Sequence, residues 1–338
     1  MTPDERLRRK NEFDGNLVLG VGRFNRQTGR DKHLAGVKAG RREQFADPAT
    51  GLLRAEISRP RVCPLCGADS PRQLFVKEGF PHNRCTECGM TYVAPVLREE
   101  RLHSHYLGED SYTRVLMNEV QMEMDRRKFN YGLDLIESLT PQKGRLLDVG
   151  CGPGVFLEVA RDRGWQVEGL EFNAWCVERV RGLGIPVFDS PLEKAELSPG
   201  AYQCITLWTV LEHIVEPRAF LESIHRLVAP DGVVLILVPN VDSLAIRVLH
   251  EKAVTFSGDS HVNHFSPATL ASLLESSGFA VADCETILTE IGTVNNYLTF
   301  EDPYFGEGQR VLDVVTPEYI HQKLMGYLLQ VIARPMAH

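Results

Sequence analysis

A short apolar run, a glycine-rich turn and a helical pattern follow one another directly over residues 146–160. The run holds an acid at Asp148, and glycines then stand at every second position from Gly150 to Gly154. Glycine adopts backbone conformations that other residues avoid, so such a turn lets a ligand approach the main chain. The helix that follows offers unpaired N–H groups in its first turn. This order predicts a strand, a ligand-binding turn and a helix.

The spacing of the glycines, and the acid ahead of them, narrow the class of ligand. Turns that bind dinucleotides favour G-x-G-x-x-G, whereas the spacing here is G-x-G-x-G. A carboxylate at Asp148 would repel a pyrophosphate and would suit an ammonium group, which S-adenosylmethionine carries. The run D-x-G-x-G-x-G at 148–154 resembles motif I of the class I (Rossmann-like) S-adenosylmethionine-dependent methyltransferases. For the glycines alone, a purely structural turn is the alternative.

Later segments extend this resemblance over about residues 100–290. Apolar runs alternate with helical patterns, which predicts a parallel sheet covered on both faces. Leu-Glu-His-Ile at 211–214 and Val-Pro-Asn at 238–240 are similar to segments of the same family. This chain departs from the family pattern at Gln203. Family members often carry an acid at this position, before the fourth strand. The expected fold is α/β, with a doubly wound, mostly parallel, seven-stranded-type sheet.

The resemblance implies S-adenosyl-L-methionine as cofactor. Glu171, at the end of the second predicted strand, is expected to bind both ribose hydroxyls, because a carboxylate offers two acceptor oxygens. Phe172 is expected to pack on adenine, and Asp189, after the third strand, to meet the adenine amine. An exposed loop acid is the alternative for Glu171. The expected cofactor-binding residues are Asp148, Gly150, Cys151, Gly152, Gly154, Glu171, Phe172, Asp189, Trp208, Tyr106 and Tyr112.

Two of these residues precede the first strand. In the family, tyrosines at this place often fold over the methionine end of the cofactor, which makes Tyr106 and Tyr112 the corresponding residues here. Simple packing of the rings is the alternative.

The acceptor side of the site is expected beyond the fourth strand, where parallel sheets place reacting groups. His213 lies there and has the near-neutral pKa of a general base. His261 and His264 precede a predicted helix start at the rim of the acceptor pocket, and Glu212 would orient an acceptor or a histidine. Since Leu-Glu-His-Ile recurs in family members with different acceptors, a structural role for His213 is the alternative.

Four cysteines upstream have the spacing of a metal site. Cys63 and Cys66 form one C-x2-C pair, and Cys85 and Cys88 form a second pair eighteen residues later. Four thiolates close a tetrahedral shell and leave no position for water, which predicts structural Zn²⁺. Iron in the same shell and two disulfides are the alternatives. Zinc ribbons ahead of this fold look like those of sugar C-methyltransferases, although this chain lacks the length for their additional C-terminal domain.

The 338 residues are enough for one large domain and one small one. The first segment carries more basic than acidic residues, although the whole chain has a net charge of −8. The expected division is a basic, glycine-containing arm at 1–60, a zinc-ribbon module at 61–97, the methyltransferase domain at 98–300 and a C-terminal extension at 301–338. We expect the arm to be flexible or loosely packed. A short amphipathic segment near 311–332 would complete the fold or form a subunit contact.

Three functions are consistent with these patterns. The first is methyl transfer to a small molecule, such as a sugar, a nucleotide-linked sugar or a natural-product intermediate. The second is an RNA methyltransferase that uses the zinc module and the basic arm, although the acidic remainder of the chain opposes RNA binding. The third is a cofactor-binding partner without turnover. No apolar run reaches the ~18 residues of a membrane span, so a cytoplasmic protein is expected, with a homodimer as one oligomeric arrangement.

Overall fold

The structure is a computed structural model that describes residues 1–18, 21–30, 40–101, 117–140, 142–308 and 310–337. The strands among these residues are β1 Ser58–Arg59, β2 Pro71–Lys77, β3 Phe80–Cys85, β4 Thr91–Val93, β5 Val96–Leu97, β6 Arg145–Val149, β7 Gln166–Leu170, β8 Val187–Phe188, β9 Tyr202–Trp208, β10 Val228–Pro239, β11 Asn263–His264, β12 Phe279–Ile287 and β13 Leu328–Pro335.

The helices that lie wholly within the described residues are α1 Pro3–Val18, α2 Val21–Thr28, α3 Glu119–Leu139, α4 Val155–Asp162, α5 Ala174–Gly182, α6 Pro217–Leu227, α7 Leu244–Leu249, α8 Pro267–Ser276, α9 Ile291–Leu298 and α10 Pro317–Gln322.

Seven strands form the central sheet in the order β12-β13-β10-β9-β6-β7-β8. Neighbouring strands pair in parallel, except that β13 is antiparallel to both β10 and β12. Helices separate most of the parallel strands along the chain, as parallel pairing requires. The predicted α/β fold with a mostly parallel, seven-stranded sheet is therefore confirmed.

Apolar side chains on both faces of this sheet make the core. Along β10, Val234 and Ile236 face one cluster with helices α6 and α8, whereas Val233 and Leu235 face a second cluster with α3, α4 and α5. Successive strand residues point to opposite faces, so a continuous apolar run is buried on both sides. All four of these side chains have no solvent exposure.

The cysteine-containing segment is joined to the large domain. Its sheet has the order β11-β4-β3-β2, and β11 lies in sequence between β10 and β12 of the central sheet. Cys63, Met90 and Tyr92 are buried in the same apolar cluster as the α6 and α8 face of the central sheet. The cysteine-containing segment and the large domain therefore share one core.

The N-terminal residues differ from the expected loose arm. Helices α1 and α2 pack against the large domain, and Phe24 is 3% exposed within the apolar cluster around α3. Lys10 Nζ lies 3.2 Å from Glu285 Oε2, and Arg6 Nη1 lies 2.8 Å from Asp283 Oδ2. The lack of a sustained apolar period in the segment suggested little packing, but Arg6 and Lys10 pair with acids of β12.

The C-terminal residues complete the central sheet. Strand β13 lies between β10 and β12 and pairs with both over most of its length. Its side chains from Leu328 to Ala333 are buried. This part of the chain therefore completes the fold, which is one of the two roles expected for it.

Candidate functional site

The glycine turn after β6 has the conformation that its sequence predicts. Gly150, Gly152 and Gly154 have φ values of +71°, +50° and +81°, which side chains with a Cβ atom rarely adopt. A Cβ on Gly150 would lie 2.8 Å from Val210 Cγ2, whereas a Cβ on Gly152 would have no atom of the described residues within 4 Å. The backbone is therefore open at Gly152, directly ahead of helix α4.

Asp148 lies in β6, 2% exposed, just before this turn. Its Oδ1 accepts a hydrogen bond of 2.6 Å from Thr206 Oγ1 on β9. Burial raises the pKa of Asp148 to about 8; the hydrogen bond from Thr206 lowers it and the nearby Glu171 carboxylate raises it. A cation at this place would stabilise the ionised form of the carboxyl group.

Glu171 lies just beyond the end of β7 and reaches back to the glycine turn. Its Oε2 accepts the N–H of Gly152 at 3.0 Å, and its Oε1 accepts the N–H groups of Phe172 and Asn173 at 2.8 and 2.9 Å. Three backbone donors therefore fix the carboxylate at the rim of the turn. The side chain lies next to the open backbone at Gly152, where a ligand of the turn would meet it.

The other expected cofactor residues have different surroundings. Cys151 is buried, and Phe172 is half-buried beside Glu171. Asp189 is exposed and forms an ion pair of 2.8 Å with Arg181. Trp208, at the end of β9, packs beneath α3. Tyr106 and Tyr112 lie outside the described residues.

Packing explains the position of Trp208. Its ring centroid lies 4.9 Å from that of Phe129 and 5.1 Å from that of Phe156. A Cβ on Gly132 of α3 would lie 2.6 Å from the indole, so the helix approaches the sheet closely at this glycine. The indole therefore lies within the aromatic contact between sheet and helices.

Thr206 belongs to the candidate site, although no motif in the sequence marked it. It is fully buried in β9, and its hydroxyl is the donor to Asp148. The signal was present in the sequence, because Thr206 is the only hydroxyl residue in the apolar run 204–208. A buried hydroxyl needs a hydrogen-bond partner, which points to an acid on a neighbouring strand.

A second group of polar side chains lies beyond the end of β9. Glu212, His213 and His261 place their candidate ligand atoms within 4.8 Å of one another. His213 Nε2 lies 3.8 Å from Glu212 Oε1, and the two imidazole rings meet edge to face with centroids 4.8 Å apart. The structure therefore brings together three of the four residues expected on the acceptor side.

The protonation of these groups follows from their surroundings. Glu212 is 1% exposed, and burial raises its pKa to about 8. Burial also lowers the pKa of His261 to about 4. His213 Nδ1 lies 3.1 Å from the carbonyl oxygen of Ser260, and His261 Nδ1 lies 2.9 Å from that of Thr255. A carbonyl oxygen only accepts, so in each ring Nδ1 carries the proton and Nε2 carries the lone pair.

His264 belongs to a different contact. It is 2% exposed, and its Nε2 lies 3.1 Å from Nδ1 of His82 on β3. Both rings also pack edge to face on Phe256. Burial lowers the pKa of His82 to about 3, and that of His264 also lies well below its usual value. Both histidines lie in the cysteine-containing sheet, where the pair joins β3 to β11.

The glycine turn and the histidine cluster are neighbours. Val210 lies directly against Gly150, where a Cβ would be 2.8 Å away. The 3-10 turn Leu211–His213 begins at the next residue. The carboxyl ends of the parallel strands therefore bring the glycine turn and a polar cluster to one edge of the sheet, which is where open α/β sheets bind their ligands.

The four expected metal ligands form a compact group of thiols. Cys63, Cys66, Cys85 and Cys88 place their sulfurs within 4.8 Å of one another. The Sγ atoms of Cys63 and Cys88 are 3.5 Å apart, and those of Cys66 and Cys85 are 3.6 Å apart. These distances exclude disulfides, whose S–S length is about 2.05 Å. They are close to the edge of about 3.8 Å that Zn–S bonds of about 2.3 Å give to a tetrahedron.

The glycine after each cysteine pair supports this group. Gly67 N–H donates to the carbonyl oxygen of Cys63, and Gly89 N–H donates to that of Cys85. Both glycines have positive φ values, +74° and +76°. The chain therefore turns back sharply at each pair, so that two thiols point to the same place.

No helix in the described part of the chain is both long and apolar enough to cross a membrane.

Comparison with known proteins finds methyltransferases that are similar to this chain. A family described as a methyltransferase domain matches residues 122–283. Ubiquinone biosynthesis O-methyltransferase of Vibrio cholerae is 29% identical over 191 residues, which are 52% of this chain and 74% of that protein. The protein of the same name from Aeromonas salmonicida is 30% identical over 152 residues, which are 41% of this chain and 64% of that protein.

Solved structures with a similar fold were also found. The 1,6-didemethyltoxoflavin-N1-methyltransferase of Burkholderia thailandensis, crystallised with S-adenosylhomocysteine, is 14% identical and gives a TM-score of 0.48. The match covers 79% of this chain and all of that one. Geranyl diphosphate C-methyltransferase of Streptomyces coelicolor is 13% identical with a TM-score of 0.46, covering 69% of this chain and 88% of that one.

Proposed function

Because this chain is an S-adenosylmethionine-dependent methyltransferase, we propose that it transfers the methyl group to a hydroxyl of a small molecule. The observation that carries the proposal is the contact between Val210 and Gly150. This contact brings the turn that would bind the cofactor next to the cluster of Glu212, His213 and His261, which can accept the proton of a hydroxyl group. The relatives named as ubiquinone O-methyltransferases, which match half of this chain, support oxygen as the attacking atom.

The proposed cofactor site uses the turn after β6. The open backbone at Gly152 receives the cofactor, and the carboxylate of Glu171 binds the ribose hydroxyls. Asp148 faces the ammonium group of the methionine part, because a cation there offsets the cost of burying an ionised carboxylate. Phe172, which is half-buried and follows Glu171, packs on the adenine.

The reaction is an in-line substitution. A lone pair of the acceptor oxygen forms a bond to the methyl carbon, the bond between that carbon and sulfur breaks, and its electrons stay on sulfur. The products are the methyl ether, S-adenosylhomocysteine and one proton. The sulfonium is already activated, so the protein mainly aligns the two atoms and excludes water.

The proton of the acceptor hydroxyl needs a base as the bond forms. Nε2 of His213 is the proposed proton acceptor in a protein whose histidine cluster has no metal ion bound. Its Nδ1 donates to the Ser260 carbonyl, so its Nε2 carries the lone pair. The carboxyl group of Glu212, 3.8 Å away, stabilises the imidazolium that results. His261 contacts the His213 ring edge to face and restricts its orientation.

The proposed role of the four cysteines is to hold a structural Zn²⁺. Support comes from four free thiols at distances suited to a tetrahedral shell. Bound there, the ion would crosslink the two cysteine pairs. Because Cys63 and Cys85 are buried in a core shared with the central sheet, the ion would also stabilise the large domain.

The basic N-terminal residues favour a small acceptor over RNA. Arg6 and Lys10 pair with Asp283 and Glu285, and Arg9 pairs with Asp134. Side chains that are engaged in this way are not available to neutralise phosphates, on which RNA binding depends.

The function is tested by incubating the protein with methyl-labelled S-adenosylmethionine and with separate fractions of cellular RNA, protein and small metabolites. We expect label in the small-metabolite fraction, in a product heavier than its precursor by one CH₂ group and stable to conditions that hydrolyse esters. The Glu171→Gln variant, with weakened cofactor binding, serves as the control. Label in RNA, or in no fraction, would contradict the proposal.

A further inference from the structure

The cluster of Glu212, His213 and His261 has the composition of a metal site. Two imidazole nitrogens and one carboxylate are a ligand set that binds Zn²⁺ and related divalent ions and leaves coordination positions open. The candidate ligand atoms of the three residues lie within 4.8 Å of one another. Two ligands at about 2.1 Å from one ion are at most about 4.2 Å apart, and His213 Nε2 and Glu212 Oε1 are 3.8 Å apart.

The histidines are oriented as metal ligands usually are. In each ring Nδ1 lies close to a backbone carbonyl oxygen, that of Ser260 for His213 and that of Thr255 for His261. A ligating histidine typically donates its second ring N–H to a carbonyl or carboxylate, which fixes the tautomer and the ring orientation. Nε2 is then the nitrogen of each ring that carries a lone pair for an ion.

The buried carboxyl group of Glu212 gives separate support for a bound cation. It is 1% exposed, and neither of its oxygens has a hydrogen-bond partner among the described residues. An unpaired carboxylate buried in this way is costly, and native proteins avoid it unless a partner is supplied. A bound cation between the carboxylate and the two Nε2 atoms would supply that partner.

The surrounding charges allow a cation. Arg41 is a basic side chain whose charge acts on His261. Its Nε lies 3.0 Å from Asp259 Oδ2, and its Nη1 lies 3.6 Å from Glu78 Oε2. These two acids offset the positive charge of Arg41, which reduces its repulsion of an ion at the cluster.

We propose that Glu212, His213 and His261 bind one divalent transition-metal ion of the zinc class. The role of that ion rests on the proposed function: the cluster lies at the edge of the sheet where the acceptor hydroxyl would bind. A hydroxyl on such an ion is more acidic than in water. The ion thereby replaces His213 as the group that promotes loss of the proton, which leaves to solvent.

The test uses the full-length protein with its cysteine site first loaded with Zn²⁺ and excess metal removed. This protein is titrated with Co²⁺, and the visible and near-ultraviolet spectra are recorded. Cobalt bound by nitrogen and oxygen gives weak visible bands, whereas cobalt bound by thiolates adds strong near-ultraviolet charge transfer. The two sites are therefore distinguished in one spectrum.

We expect one equivalent of Co²⁺ with visible bands and no thiolate charge transfer. His261→Gln and Glu212→Gln should weaken this binding by more than about tenfold, since loss even of a residue that only orients a ligand costs about that much. The matched controls are His250→Gln and Glu222→Gln, which change exposed residues outside the cluster. Calorimetric binding of S-adenosylhomocysteine checks that each variant is folded.

Absence of the cobalt bands, or equal affinity in the cluster variants and the controls, would overturn the site. Failure of the metal site can be distinguished from failure of the proposed function. A protein that binds Co²⁺ as described but methylates no small molecule retains the metal site and loses the function. A protein that methylates but does not bind Co²⁺ loses the metal site, and His213 alone then remains the proposed base.

Discussion

Thr206 Oγ1 donates a 2.6 Å hydrogen bond to Asp148 Oδ1, across two neighbouring strands of the central sheet. The bond fixes a buried carboxyl group immediately before the glycine turn. Because burial raises the pKa of Asp148 to about 8, the group is mostly protonated at neutral pH before a cation binds. The proposed cofactor carries that cation, so its binding should be linked to a proton.

The first prediction concerns the pH dependence of cofactor binding. A nearby ammonium group favours the ionised form of Asp148, so below pH 8 binding must release a proton. The affinity for S-adenosylmethionine should therefore rise as the pH increases toward about 8 and then level off. Calorimetry at pH 7 in buffers of different ionisation enthalpy should detect the released proton.

The Asp148→Asn variant provides the control for this prediction. It should bind the cofactor more weakly at pH 9 and should lose the proton release attributed to Asp148. If the wild type and this variant release the same number of protons at pH 7, Asp148 does not face the ammonium group.

The second prediction concerns the ribose. Glu171→Gln keeps the size of the side chain but leaves one acceptor oxygen where two are needed. The loss of charged hydrogen bonds should weaken cofactor binding by about 1–3 kcal/mol. Glu178→Gln on the exposed face of α5 is the control and should bind as the wild type does. Unchanged affinity in Glu171→Gln would place the ribose elsewhere.

Much of this site was predictable because its signals are local. The strand, turn and helix around Asp148 follow from residue order alone, and the structure has them at β6, the glycine turn and α4. The spacing of the four cysteines likewise predicts a cluster that the structure forms. Both patterns depend on backbone geometry within a few residues, which sequence periodicity captures.

Contacts between distant residues were less predictable. The pairing of Lys10 with Glu285, and of His82 with His264, joins residues far apart in sequence. No local pattern marks such pairs, since each depends on how complete elements pack. For the same reason the N-terminal segment was expected to be a flexible or loosely packed arm, and β11 was not expected to extend the cysteine-containing sheet.

The third prediction concerns the cysteine site. Cys85→Ser should lower the zinc content of the purified protein and reduce the melting temperature of the whole chain, because Cys85 shares a core with the central sheet. Elemental analysis and calorimetry measure the two effects. Cys284→Ser, which changes a half-buried cysteine outside the cluster, should retain the metal. Wild-type protein without metal would refute the zinc assignment.

The fourth prediction concerns the N-terminal helix. Lys10 is 6% exposed and pairs with Glu285, which also accepts a hydrogen bond from Tyr131. Lys10→Met removes a buried partner of this acid and should lower the free energy of unfolding by about 2 kcal/mol. The loss is smaller than for a buried ion pair without other partners, because Glu285 keeps the hydrogen bond from Tyr131. Urea unfolding measures the change. The same substitution at the exposed Lys194 should have little effect, and equal stability of both variants would show that α1 contributes no stability through this pair.

The most direct measurement of the central claim is a crystal structure of the protein with S-adenosylhomocysteine. We predict that both ribose hydroxyls lie within about 3 Å of Glu171 oxygens, with the methionine part beside Gly152 and its ammonium group toward Asp148. A cofactor bound away from this turn, with Glu171 contacting only the backbone, would contradict the account.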